Sequence, residues 1–231
     1  MPDYQIPDEL IQHADKTRGK LHLWDQFPGR KTALVVVDMQ NYFVAPSFPG
    51  EVATARDIVP SINRLARALR EHGGRVIWVT NTTSGTADSW SVRHEFQSPE
   101  RSKIRMDAME LGADGCLLWA ELDARPEDTR IVKDRYSAFI QGSSDLPSEL
   151  RDGGIDFVLI AGTYTNVCCQ ASAQDAMLLN FRTVMVSDCN AGSSPEAHAA
   201  ALNNFFRFFG DVLTTEEVIA RLRRSSEAEA A

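Results

Sequence analysis

Phe157-Val-Leu-Ile-Ala-Gly162-Thr-Tyr-Thr-Asn-Val-Cys168-Cys169 decides the architecture of this chain. The apolar run over 157–161 reads as a strand buried on both faces, the mark of a parallel sheet. Gly162 opens a strand-to-helix turn, and a long helix is predicted from about 166 to 180. The same unit repeats on either side. Strands are predicted at 33–37, 76–79, 130–133 and 183–186, with a possible edge strand at 211–213. Helices are predicted near 55–72, 146–150, 195–208 and 215–224. Gly73-Gly74 and Gly153-Gly154 stop two of them. Strands alternating with helices make an α/β fold with right-handed crossovers.

Around this frame, residues 1–30 read as an N-terminal arm. Leu21, Leu23, Trp24 and Phe27 would pack it on the body or on a second subunit. Residues 31–225 read as one domain, and 226–231 as a small, polar, frayed tail. Residues 81–128 are the least regular part: a loop at 81–85 and a short helical or extended piece at 116–122.

Composition narrows the function classes. The chain has 231 residues, 43% apolar, and a formal charge of −8. That apolar share excludes wholesale disorder. The acidic balance argues against nucleic acid as a main partner. No stretch reaches the ~20 apolar residues of a membrane-spanning helix, so no membrane association is expected. The N-terminus lacks the apolar stretch of a secretion signal. Cys116, Cys168, Cys169 and Cys189 fit no zinc spacing. Free thiols fit a cytoplasmic protein. No phosphate-binding glycine motif follows any strand, which sets a nucleotide-binding domain aside.

In an open parallel sheet the ligand sits beyond the carboxyl ends of the strands. Those ends carry Asp38 after the first strand, Thr80 and Asn81 after the second, and Lys133 after the third. The fourth is followed by Gly162 to Asn166 and then Cys168. Cys168 lies in the first turn of a helix, where unpaired N–H groups and the dipole favour a thiolate. A nearby Lys133 ammonium would lower the thiol pKa further. Asp38 would take the thiol proton and return it to a leaving amine, and the N–H groups would hold an oxyanion. That constellation describes acyl transfer through a thioester. The structural alternative is a core thiol beside a Lys133–Asp38 ion pair, and spacing alone leaves both open. Helix neighbours point ~100° apart. Cys169 is expected to face the sheet with Ala173, Ala176 and Met177, leaving Cys168 toward the rim. Cys116 and Cys189 read as structural.

Val35-Val-Val-Asp38-Met-Gln-Asn, Lys133-x-x-Tyr-Ser-Ala-Phe139 and Gly162-Thr-Tyr-Thr-Asn-Val-Cys168 together resemble the isochorismatase-like cysteine hydrolases, over about residues 30–215. The resemblance implies a Rossmann-like three-layer α/β/α fold with a central, mostly parallel sheet, and commonly a homo-oligomer. It implies a catalytic triad of Asp38, Lys133 and Cys168. It also implies a non-proline cis peptide at Thr163–Tyr164, which would aim the Tyr164 N–H, with that of Cys168, at the substrate oxygen. Isochorismatases proper lack the nucleophilic cysteine, so Cys168 sets that activity aside. Nicotinamidases usually carry an Asp-x-His and further histidines after the second strand. This chain has none there, and His94 is isolated and reads as a surface or interface histidine. No metal and no cofactor are therefore expected, and nicotinamide is a doubtful substrate.

The wording of the motifs is most similar to the ureidoacrylate and N-carbamoyl amidohydrolases, with biuret- and triuret-type activity alongside. Relatives often carry an arginine in the helix after the cysteine where this chain has Gln174. Gln40 and Asn81 are candidates to hydrogen-bond a small amide or ureide. Phe43, Trp90, Tyr136, Phe139 and Tyr164 are candidate pocket walls. Asn166 is a candidate donor near the oxyanion or an anchor for the turn. The run Phe205-Phe206-Arg207-Phe208-Phe209 reads as core and interface. The competing function is non-enzymatic: an oligomeric Rossmann-like module with a redox-sensitive thiol.

Overall fold

The structure is a computed structural model that describes residues 4–230, with side chains described through 228. Six strands form one sheet: β1 (Thr32–Val37), β2 (Arg75–Asn81), β3 (Thr129–Lys133), β4 (Phe157–Thr163), β5 (Arg182–Ala191) and β6 (Asp211–Leu213). Their spatial order is β3-β2-β1-β4-β5-β6, and every neighbouring pair is parallel. The order turns back on itself between β1 and β4, the crevice where such sheets bind ligands.

The helices are α1 (Asp8–Arg18), α2 (Asn41–Val44), α3 (Val59–Glu71), α4 (Thr86–Ser89), α5 (Ser91–His94), α6 (Pro99–Ala108), α7 (Leu146–Asp152), α8 (Gln170–Leu178), α9 (Pro195–Phe208) and α10 (Thr215–Ala230). Alternate residues of each strand point to opposite faces, and two cores result. Leu34, Val36, Trp78 and Leu159 pack under α3 and α10. Val35, Ile77, Val158 and Ile160 pack under α1, α7, α8 and α9. The layering is therefore α/β/α, as the sequence predicts.

Differences lie at element ends. The arm contains α1, whose Leu10 and Ala14 are buried in the second core, so it seats on its own body. Phe27 is fully buried, and Trp24 meets Phe157 edge-on at 5.7 Å. The segment expected to fray is helical to Ala230; residue 231 lies outside the described residues. The helix expected from 166 starts instead as a π-helical turn over Thr165–Cys169 before α8. Met177, expected to face the sheet, is 37% exposed; Ala173 and Ala176 do face it. The expected piece at 116–122 is a 3-10 turn, Asp114–Cys116, followed by an antiparallel bridge between Leu118 and Gln40.

Candidate active site

Asp38 ends β1 with φ of 54°, a left-handed conformation uncommon outside glycine. Such backbone persists only where its surroundings over-determine it. Here the Asp38 N–H donates to Val79 O at 2.8 Å, and the Thr163 hydroxyl donates to Asp38 O at 3.0 Å. The fully buried carboxyl is thereby aimed into the β1/β4 crevice. Lys133, at the end of β3 and also fully buried, donates from Nζ to Asp38 Oδ2 at 2.8 Å and to Arg135 O at 3.0 Å. Asp38 Oδ1 is buried and takes no hydrogen bond from any N–H or O–H among the described residues, and the carboxyl engages the Cys168 thiol beside it. A carboxyl oxygen left free beside a thiol suits a group that must receive its proton.

Cys168 comes from the turn after β4. The Thr163–Tyr164 peptide is cis. Tyr164 O accepts the N–H of Val167 at 3.0 Å and that of Cys169 at 3.1 Å, with Cys168 between them. From α9, His198 Nδ1 lies 2.8 Å from Thr165 Oγ1 and braces the turn. Burial holds His198 neutral, its pKa lowered to about 4.

The electrostatics correct one expectation. Cys168 is only 5% exposed. Burial, with the Asp38 charge beside it, outweighs the Lys133 ammonium and pushes the thiol up to about 12. The resting group is a thiol, since desolvation of the charged form exceeds the pull of one ammonium. Burial also raises the Asp38 carboxyl above the ordinary carboxylate value, against the opposing Lys133 charge. Lys133 loses proton affinity to burial but gains more from Asp38 and the cysteines, so it stays an ammonium. Cys168 thus rests as a thiol and Lys133 as an ammonium, beside an Asp38 carboxyl more basic than a surface carboxylate. Thiolate absorbance at 240 nm, titrated on the native enzyme, is expected to show no step from Cys168 between pH 6 and 9. A Cys168 step near 8.5 would show that burial does not control this thiol.

Other sequence candidates divide. Gln40 is buried and spends both amide hydrogens on backbone, at Asn81 O (3.0 Å) and Gly115 O (2.9 Å), while its Oε1 accepts from Asn81 N at 2.7 Å. It clamps the β1 and β2 ends to the following loop and has no donor left for substrate. Asn81 Nδ2 donates to Lys133 O and Arg135 O, both at 3.3 Å, so it positions the lysine strand. Phe139 is core, packed edge-on against Phe181 at 6.0 Å. Asn166 Oδ1 accepts from Ser193 N and Oγ at 3.4 Å and anchors the turn. Phe43 stays with the site, 5.8 Å from Tyr164 ring to ring, and Trp90 and Tyr136 pair at 4.9 Å. The Tyr164 hydroxyl donates to Gly50 O at 2.8 Å. His94 is half-buried and brackets α4 and α6 through Thr86 and Ser102. Among the described residues no three His, Cys, Asp or Glu side chains gather as a metal-holding group.

Arg105, on α6, was not among the sequence candidates. Its positive charge reaches Asp38, Cys168 and Tyr164, lowering the proton affinity of each. Arg105 lies in the irregular 81–128 segment, where no strand end marks a position as facing the site, so no local signal points to it.

The model of the isochorismatase domain matches residues 32–217. A protein of Arabidopsis thaliana described as a probable inactive nicotinamidase is 33% identical over 74% of this chain and 86% of its own. The ureidoacrylate amidohydrolase RutB of Pseudomonas syringae pv. syringae is 31% identical over 94% of this chain and 91% of its own. The crystal structure of a cysteine hydrolase from Pseudomonas syringae pv. phaseolicola superposes with a TM-score of 0.78 at 28% identity, covering 89% of this chain and 98% of that one.

Proposed function

The chain belongs to the isochorismatase family and is a hydrolase of its cysteine type, and from that premise we propose that it cleaves the C–N bond of a small amide, ureido or carbamoyl compound through a thioester on Cys168. The observation that carries this reading is the divided Asp38 carboxyl: Oδ2 is held by Lys133, while the carboxyl also engages the Cys168 thiol, and Oδ1 takes no hydrogen bond from any N–H or O–H among the described residues.

The steps use groups already in place. Asp38 takes the thiol proton as Sγ forms a bond to the carbonyl carbon. The carbonyl π pair moves onto oxygen, which the N–H groups of Tyr164 and Cys168 receive. Lys133 holds Asp38 in place and offsets the negative charge of the sulfur. Collapse breaks the C–N bond, and Asp38 returns its proton to the departing nitrogen, which leaves as ammonia or an amine. Water, deprotonated by Asp38, then attacks the thioester. The C–S bond breaks, the acid product leaves and the thiol is restored. Phe43 and the Trp90–Tyr136 pair are proposed as pocket walls. A redox-sensor role fits poorly with a buried thiol whose pKa is raised rather than lowered.

The reading includes a cytoplasmic location and a homo-oligomer as proposals. Four free cysteines support the first, and the exposed Phe96 and Phe208 support the second. Among the described residues no helix is long and apolar enough to cross a membrane.

Ammonia release from ureidoacrylate, N-carbamoylsarcosine, biuret, triuret, maleamate and nicotinamide tests the reading, with the best substrate then followed against pH. The carboxylate form of Asp38 is the active one, so kcat/KM falls as pH falls through its pKa. Because burial raises that pKa, the fall is expected to begin above the usual carboxylate range. Lys133, raised above its ordinary 10.5, adds no alkaline loss below about pH 10. Release from none of the six, or an acid limb at the free aspartate value, would count against the proposal.

A further inference from the structure

Arg105 is half-buried on α6. Its guanidinium makes one long hydrogen bond, Nη2 to Asn81 Oδ1 at 3.4 Å, and lies over the Tyr42 ring at 5.6 Å. Among the described residues no carboxylate lies within ion-pair distance of it. The acids that follow it in sequence are engaged elsewhere: Asp107 pairs with Lys103 at 2.8 Å, and Glu110 accepts from Ser84 at 3.2 Å. Asn81 and Tyr42 in turn tie this cation to the site. Asn81 holds the lysine strand, while Tyr42 meets Phe43 edge-on at 5.0 Å and Phe43 meets Tyr164.

Charge bookkeeping shows what is missing. Asp38 and Lys133 neutralise one another and Cys168 rests as a thiol. Arg105 therefore adds a positive charge beside the site that no carboxylate within ion-pair distance offsets, in a chain of net charge −8. A half-desolvated cation without a counter-ion is unfavourable. A guanidinium, with its planar fork of donors, matches a carboxylate better than a lysine would. Hydrogen-bonded only to a neutral amide oxygen at 3.4 Å, the fork has donors to spare.

We propose that Arg105 is the specificity-determining residue of this site and binds the carboxylate of the substrate, which is a small amide or ureide carrying an acid group beyond the scissile carbonyl. This rests on the amidohydrolase reading for the reaction but not for the anion site. The acid end docks on Arg105 beneath α6, and the carbonyl end is left toward Cys168 and the Tyr164 N–H. A neutral amide of the same shape would leave the excess charge uncompensated and bind weakly.

Two measurements separate the parts. The first compares kcat/KM for matched amides, succinamate against butanamide and N-carbamoyl-β-alanine against propylurea, in the unaltered enzyme, Arg105→Met, Arg105→Lys and Lys103→Met. The unaltered enzyme is expected to favour the acid of each pair. Arg105→Met is expected to lose about 30- to 10³-fold on the acid, mainly through KM, with the neutral partner changed only a few-fold. Arg105→Lys recovers part of the loss. Lys103→Met, which removes an exposed charge of the same helix, leaves the discrimination in place. An equal loss on acid and neutral amides, or a preference for the neutral amide in the unaltered enzyme, overturns the proposal. The second is calorimetric binding of maleate to Cys168→Ala with and without Arg105→Met, the fold checked by circular dichroism. Binding that survives loss of Arg105 overturns the anion site whatever the turnover. Binding that needs Arg105, in an enzyme that turns over no amide, supports the anion site and removes the amidohydrolase reading.

Discussion

Cys168→Ala is expected to lower ammonia release on the best substrate by about 10⁴-fold or more, because no other group can form the acyl intermediate. Members of a nucleophile–base set act as a unit, and losing one removes most of the effect of all. Cys169 cannot substitute: it is fully buried, its thiol lies against Ala161 O at 3.8 Å, and burial raises its pKa well above the ordinary value. Removing one sulfur from a site that is already 5% exposed is expected to move Tm by only about 3 °C. Loss of activity therefore reads as loss of the nucleophile. Intact-mass spectra of acid-quenched turnover mixtures are expected to show an acyl adduct on the unaltered enzyme and none on Cys168→Ala. A variant retaining more than a few per cent of activity would show that the thioester route is wrong, whatever the fold.

Gly162→Ala is expected to be the most damaging small substitution in the sheet. Gly162 pairs with Val37 across the β1/β4 crevice, one residue before Asp38. Its φ is 115°, which side-chain-bearing residues rarely adopt, and a Cβ there would lie 2.0 Å from Val37 O. The obstruction is backbone, so no rotamer change relieves it, and β1 and β4 must part where Asp38 meets the Cys168 turn. The β4–β5 register also shifts between Ile160 and Gly162, and Asn190 Nδ2 ties Ile160 O to Val186 O at 2.9 and 2.7 Å. The strand is therefore braced on its other side and has little freedom to move away. A loss of about 3–5 kcal/mol is expected, or roughly 6–20 °C in Tm, with kcat reduced in whatever protein remains folded. Gly154 is the control: its φ is 66°, but a Cβ there meets nothing within 4 Å, so Gly154→Ala should cost about 1 kcal/mol. Equal Tm values for the two variants would mean that the close approach of Val37 has no energetic weight.

The chemistry was legible where the chain reports it locally. Strand–helix alternation places β1, β3 and β4 in one parallel sheet, and a parallel sheet collects its strand ends on one rim. Asp38, Lys133 and the turn to Cys168 can therefore be read from the residues that follow three apolar runs. The same rule over-reads Gln40 and Asn81. Both stand at strand ends, but the buried loop carbonyls of Asn81, Gly115 and Arg135 need donors, and these two amides supply them. Phe139 follows the lysine motif in sequence yet is buried in the core with residues of α7 and α8, edge-on to Phe181.

By itself, then, the sequence determined the α/β architecture and the order of acid, lysine and thiol along it. These follow from hydrophobic periodicity and from the polar residue at each strand end, both local properties, whereas the class of chemistry entered through the resemblance that three motifs carry. The tertiary structure alone decided the protonation state of Cys168 and the fate of each amide at the rim. It also brought Arg105, from a segment without periodicity, near enough for its charge to act on Asp38 and Cys168. Proton affinity depends on how completely a group is desolvated and on which charges lie within a few ångströms. Those distances join residues 35 to 130 positions apart, and they exist only once the sheet and helices have closed around them.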